Sequence, residues 1–332
     1  MLRVTLGPES MGEAALKIDL LRELVPAPEL ALALPLIEEI SRLKRERRAV
    51  VLAHNYQIPA IYHGIADYTG DSLGLSYAAA ATEAETIVFC GVHFMAETAK
   101  IVNPAKTVLL PDMKAGCSLS ESITAADVRA LKARHPGMPV VCYVNTEADI
   151  KAESDICCTS ANAVKVVESL AGDSVIFVPD GYLARNVATQ TRKRVVWWEG
   201  RCMVHEQFTV EQIASHRAQF PGLRVVAHPE CSPEVVAAAD YAGSTAQMID
   251  YLRDRPARKV MLITECSMAS NIREQFPETD FQMPCTLCPH MKRITLEKVA
   301  RSLREGVYPI EVPEPVQTRA RRAIEAMLAI GR

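Results

Sequence analysis

The chain has 332 residues, 49% of them hydrophobic, and a formal charge of −3. That apolar content supports a buried core, and the length predicts two or three domains. The charge excludes a global basic surface for nucleic acid, and the basic run at 42–48 reads as a solvated helix face. Residues 1–10 lack the basic region and apolar stretch of an export signal, and no stretch approaches a membrane span. The run "LALALPLI" is too short and contains Pro35. A cytoplasmic location is therefore expected, with neither membrane nor nucleic acid as a partner. In that compartment the ten cysteines read as metal ligands, catalytic groups or core thiols rather than structural disulfides.

In chain order, the apolar β-rich runs are 49–56, 86–93 and 107–112, then 139–146, 174–181 and 194–200, then 223–230, 259–266 and the weaker 280–285. They are continuous rather than alternating, as strands buried on both faces of a parallel sheet are. Helical patterns lie between them, including "LGLSYAAAATEAE", "ANAVKVVESLAG" and "PEVVAAADYAGSTAQMIDYLRD". His54, Tyr143 and His228 occupy matching strand ends, at intervals of 143 − 54 = 89 and 228 − 143 = 85. Met95, Leu183 and Met268 repeat the beat at 88 and 85, each followed by alanine.

A period of that size predicts an α/β fold of three repeated small doubly wound βαβαβ domains, in a pseudo-threefold arrangement around a central active site. The expected divisions are an N-terminal helical segment (1–44) on the first domain, α/β domains at 45–133, 134–220 and 221–290, and a helical tail (291–332). The tail is expected to pack on the first unit with the N-terminal helices, broken by Pro309, Pro313 and Pro315.

The cysteines keep the same beat. Cys117, Cys202 and the pair Cys285/Cys288 each follow the third strand of a unit, with 202 − 117 = 85 and 288 − 202 = 86. Ligands collect outside the carboxyl ends of parallel strands, so the repeat would aim one thiolate per unit at one spot. Three thiolates can belong to a zinc site, although structural zinc normally takes four ligands. Around a [4Fe–4S] cluster they leave one iron open as a Lewis acid, suited to dehydration. Cys90, Cys142, Cys231 and Cys266 read as core thiols, and Cys157–Cys158 falls at a loop before a helix.

The strand ends also carry His54, Asn55 and Tyr56, then Tyr143 and Asn145, then His228 and Glu230. Glu230, beside His228, is the best candidate general acid/base. Asp71–Ser72, Thr159–Ser160 and Ser244–Thr245 precede helical patterns. These residue types cap helices, and helix N-termini also suit carboxylate or phosphate groups.

Together "AHNYQ", "TGDSL", "FCGVHFMAETAKI", "LPDMKAGCSL", "CYVNT", "CCTSANA", "VPDGYLARN", "HPEC" and "CPHMKRITLE" resemble the quinolinate synthase (NadA) family of NAD biosynthesis, from about residue 50 to about residue 300. The resemblance implies a [4Fe–4S] transferase that condenses iminoaspartate with dihydroxyacetone phosphate and releases phosphate and two waters. It implies Cys117, Cys202 and Cys288 as cluster ligands, the last being the cysteine directly before "PHM". Tyr56 and Glu230 carry over as acid/base groups, with His54 and His228 beside them. His54, Ser72, Tyr143, Asn145, Ser160, His228, Glu230, Ser244 and Thr245 carry over as substrate contacts. Functional coupling to the L-aspartate oxidase that supplies iminoaspartate is also implied. Two other classes stay open: a different [4Fe–4S] hydro-lyase acting on a small carboxylic acid, and a non-catalytic zinc-stabilised α/β binding protein.

Overall fold

The computed structural model describes residues 11–282 and 284–331, so the first ten residues of the expected N-terminal segment and residue 283 of the expected strand at 280–285 lie outside it. The chain forms two compact units. One comprises the described part of Met1–Ala115 with Cys288–Glu311, and the other Gly116–Leu287 with the described part of Val312–Arg332.

The first unit holds one sheet, of β1 (Ala49–His54), β2 (Tyr68–Gly70), β3 (Thr86–Cys90) and β4 (Thr107–Leu109), in the order β2-β1-β3-β4. The second holds two sheets. Strands β5 (Val140–Tyr143), β6 (Ile156–Cys158), β7 (Ser174–Val178) and β8 (Arg194–Trp197) run in the order β6-β5-β7-β8. Strands β9 (Arg224–Ala227), β10 (Tyr241–Ala242), β11 (Lys259–Ile263) and β12 (Asp280–Gln282) run β10-β9-β11-β12. Every pairing is parallel. The fold is thus α/β, with one doubly wound pattern used three times.

The repetition extends to side chains. Asp67, Asp155 and Asp240 each accept a hydrogen bond of 2.7 Å from the first buried turn of the leading strand, at the N–H of Val51, Val140 and Val225. Their own N–H groups donate back to the carbonyls of the same three residues. Each aspartate therefore satisfies a backbone donor that the short edge strand leaves over, and fixes where that strand joins. Met95, Leu183 and Met268 are all buried in the first turn of the helix after the third strand. The central strands bury Val51, Leu52, Val141, Val225 and Val226 completely, which accounts for their unbroken apolar runs.

The structure corrects several expectations. Each repeat has four strands, not three, the extra ones being β2, β6 and β10, which are only two or three residues long. Cys157 and Cys158 lie inside β6, not in a loop. The single helix expected from 233 onward is two helices, Pro233–Ala238 and Thr245–Asp254, with β10 between them.

The tail divides as well. Helix Leu296–Glu305 packs on helix Ala27–Glu46, tied by Arg304 to Glu39 at 2.6 Å. Helix Glu314–Ile330 instead packs on helix Ala148–Ala152 and on β6. Pro313 sits at its N-cap and Pro315 in its first turn, where proline needs no N–H donor. Pro309 forms an antiparallel bridge with Leu109. Pro35 lies inside helix Ala27–Glu46 without ending it.

Candidate active site and cofactor ligands

Cys117, Cys202 and Cys288 occupy one local design. The carbonyl of each accepts from the N–H four residues on, at Glu121 (2.9 Å), Glu206 (3.0 Å) and Lys292 (3.1 Å). A single 3₁₀ turn begins three residues after each cysteine, at Ser120, His205 and Met291. A threonine seven residues after each, Thr124, Thr209 and Thr295, caps the next helix with its hydroxyl. Cap and turn hold the cysteine backbone from both sides. All three are half-buried and outside any disulfide, whereas Cys90, Cys142, Cys157, Cys158 and Cys231, also outside any disulfide, are fully buried. Cys285 does not share the design. It is joined by a disulfide to Cys266, with Cα atoms 5.1 Å apart. That pairing corrects both the core-thiol reading of Cys266 and the expectation that no cysteine is cross-linked.

In the second unit, Ser118 ties two of the cysteine turns together: its hydroxyl donates to the Arg201 carbonyl (3.1 Å) and accepts from Met203 N–H (3.0 Å). Beside them the ends of β5 and β9 carry a buried polar network centred on Glu230. Tyr143 donates its hydroxyl to Oε1, and Asn145 donates its amide to the same oxygen at 3.3 Å. His205 Nδ1 stands 2.7 Å from Oε2. His228 lies 4.0 Å from Oε2 and stacks on His205 with ring centroids 4.7 Å apart. Ser160 Oγ reaches His228 Nε2 at 3.2 Å, and Thr264 Oγ1 reaches His205 Nε2 at 3.0 Å.

Burial opposes the charge on Glu230, but the His205 and His228 imidazoles and the hydrogen bonds from His205 and Tyr143 outweigh it and hold the carboxyl below its usual range. Asp180, buried and also facing Glu230, is pushed the other way: burial and the Glu230 charge raise its carboxyl well above the usual range. Asn186 braces the turn that carries Glu230 by donating to the Pro229 and Cys231 carbonyls at 2.8 and 2.9 Å. Ser244 and Thr245 are buried at the start of helix Thr245–Asp254, where Ser244 forms a capping box with Gln247. Gln247 also donates to the Ala161 carbonyl at 3.1 Å, next to Ser160.

In the first unit, His54 and Tyr56 are buried at the end of β1 and meet edge to face, with centroids 4.6 Å apart. His54 Nδ1 accepts from Tyr56 N–H at 3.2 Å. Ser72 opens helix Ser72–Ala81, whose N-cap is Asp71. The Cys288 turn docks on this group, because Lys292 donates to the Tyr56 carbonyl and Gln57 donates to the Met291 carbonyl at 3.3 Å.

The structure thus joins Tyr143, Asn145, Ser160, His228 and Glu230 with Cys202 through His205. It places His54, Tyr56, Ser72 and Cys288 in the first unit. His205 and Thr264 were missed by sequence reasoning. His205 had a signal, since it lies three residues past a ligand candidate, but Thr264 at the end of β11 had none.

The donors around Cys202 suit a metal centre. Burial, then the Glu230 charge, then Cys117 all raise the Cys202 thiol well above its ordinary range. Thiolates crowded with a carboxylate need a positive partner to ionise together, and a metal centre supplies one.

Fold and site define a class: a three-repeat α/β protein with one loop cysteine per repeat and a buried carboxylate–histidine centre. The quinolinate synthetase A protein family matches residues 38–329, and the chain belongs to that family. It is 53% identical over 321 residues to "Quinolinate synthase" of Sinorhizobium fredii (strain NBRC 101917 / NGR234), covering 97% of this chain and 89% of that one. It is 56% identical over 313 residues to "Quinolinate synthase 1" of Mesorhizobium japonicum (strain LMG 29417 / CECT 9101 / MAFF 303099), covering 94% and 96%. To "Quinolinate synthase" of Xylella fastidiosa (strain 9a5c) it is 55% identical over 294 residues, covering 89% and 87%. Among the described residues no helix is long and apolar enough to cross a membrane.

Proposed function

We propose that this chain is a quinolinate synthase that condenses iminoaspartate with dihydroxyacetone phosphate, releasing phosphate and two waters. Family membership supports the reaction. The observation that supports the cofactor is the shared turn of Cys117, Cys202 and Cys288, with its threonine cap seven residues on. These three thiolates would hold a [4Fe–4S] cluster, leaving Cys285 outside the ligand set. Such a cluster supplies a Lewis-acidic iron that weakens a carbon–oxygen bond for dehydration.

The chain's own residues do the rest. Glu230, kept ionised by His205, His228 and Tyr143, accepts protons during enolisation and returns them during cyclisation and water loss. Tyr143 and Asn145 fix its Oε1, so Oε2 faces the imidazoles in one orientation. Tyr56 is the second proton-transfer group of this reading, and its backbone N–H donates to His54 Nδ1. Ser72, Ser160, Ser244 and Thr245 stand at or beside helix N-termini, where hydroxyl and N–H donors bind carboxylate and phosphate without a net positive surface. His228, held by Ser160, contacts substrate beside Glu230.

The domains proposed are 45–133, 134–220 and 221–290, set around a central site, with the helical segments 1–44 and 291–332 outside them. An L-aspartate oxidase supplying iminoaspartate is the proposed functional partner, and the cytoplasm the proposed location. The test is anaerobic incubation with iminoaspartate and dihydroxyacetone phosphate. Quinolinate and one phosphate per turnover are expected, and an iron-loaded protein that forms no quinolinate contradicts the reading.

A further inference from the structure

The same buried centre holds a second donor set. Cys202 Sγ, His205 Nδ1 and a Glu230 carboxylate oxygen all lie within 4.8 Å of one another, with His205 and Glu230 buried. We infer that the cluster-free chain takes one zinc-type divalent cation on Cys202, His205 and Glu230, at a mononuclear site that shares only Cys202 with the three-cysteine set.

The geometry is close to what such an ion needs. Zinc bonds of about 2.3 Å to sulfur and about 2.0 Å to nitrogen and oxygen give tetrahedral edges of about 3.5 Å (S–N) and about 3.3 Å (N–O). The separations here are 3.1 Å between Cys202 Sγ and His205 Nδ1 and 2.7 Å between His205 Nδ1 and Glu230 Oε2. Each edge opens by about half an ångström, within side-chain motion. The outer contacts are in place too. Thr264 Oγ1, 3.0 Å from Nε2, accepts a hydrogen bond from Nε2–H once Nδ1 binds metal. Tyr143 and Asn145 hold the other Glu230 oxygen. On binding, the Cys202 thiol proton leaves to solvent and no electron moves.

Sulfur, nitrogen and oxygen donors together suit zinc or cobalt, and such a site ranks zinc above ferrous iron. Three protein ligands leave the fourth position to water, as in open zinc sites. The consequence is competition, because the ion occupies Cys202 and Glu230 together. It therefore blocks both cluster loading and proton transfer until it is removed. The ion site does not rest on the proposed function, since its readout is the metal alone, whereas the competition with cluster loading and proton transfer does.

The test titrates the full-length cluster-free chain with Co²⁺ and Zn²⁺ and takes the zinc X-ray absorption spectrum. One ion per chain is expected, with one sulfur and otherwise nitrogen or oxygen neighbours. Cys202→Ser should abolish the thiolate-to-cobalt charge-transfer band. His205→Ala and Glu230→Gln should weaken binding at least about 100-fold, beyond the 10–100-fold cost of losing an outer contact. Cys288→Ala should bind as the parent does. Two or three sulfurs around zinc, loss of binding in Cys288→Ala, or no stoichiometric binding would overturn the inference. The absorption spectrum decides it even if a variant fails to fold.

Discussion

Two sets of cysteines in this chain differ in what surrounds them. Cys117, Cys202 and Cys288 sit half-buried on three equivalent capped turns after the last strand of each repeat. Cys90, Cys142, Cys157 and Cys158 are buried inside strands. One strand thiol, Cys142, is held below its ordinary range: burial raises it, but a hydrogen bond from Cys157, the Lys151 charge and a hydrogen bond from Thr146 outweigh it. Yet Cys142 has no exposed surface. A lowered thiol is therefore not by itself the mark of a ligand. The turn thiols combine access, a fixed backbone and threefold equivalence, and the strand thiols only fill the core.

The largest effect that separates the two sets is loss of a turn thiol. Cys117→Ala, Cys202→Ala and Cys288→Ala should each lose quinolinate formation and most bound iron, read by activity and iron analysis. Cys90→Ala should keep both. Next comes the centre beside the second turn. Glu230→Gln should lower kcat by about 10²–10⁴-fold, the usual worth of a positioned proton-transfer group, while iron content stays unchanged.

The same carboxyl sets a pH dependence. Its folded value is lowered, so its contribution to stability is present above the ordinary carboxylate range and fades as pH falls through the folded value. Thermal melts should show that acid-side loss shrinking in Glu230→Gln. Smaller still, Thr209→Ala removes the cap behind the Cys202 turn and should cost about 1 kcal/mol in denaturant unfolding. Cys285→Ala should have the least effect on function, breaking only the link to Cys266.

Much of this was legible in the sequence, because a parallel strand buried on both faces leaves a continuous apolar run, and three copies in register expose the period. Cys117, Cys202, the pair Cys285/Cys288 and the residues at the ends of β1, β5 and β9 followed from that register, while the choice of Cys288 within the pair came from the family resemblance. The short strands β2, β6 and β10 did not, since two or three residues carry no periodicity. Their anchors, Asp67, Asp155 and Asp240, recur at 88 and 85 residues but read as ordinary loop aspartates until their backbone partners are seen. For His205 the only signal was its place three residues past Cys202, because its partner Glu230 lies 25 residues on beside another sheet. The Cys266–Cys285 link was hidden because pairing depends on a Cα separation that spacing does not give.

The central claim is that each repeat supplies one ligand from the same turn, so that Cys288 is the third ligand and Cys285 is not. The most direct test is iron and sulfide content of anaerobically purified wild type, Cys285→Ala and Cys288→Ala. About four irons per chain, as a four-iron cluster requires, are predicted for the first two, with a sharp loss in the third. Full iron in Cys288→Ala, or its loss in Cys285→Ala, would contradict the account.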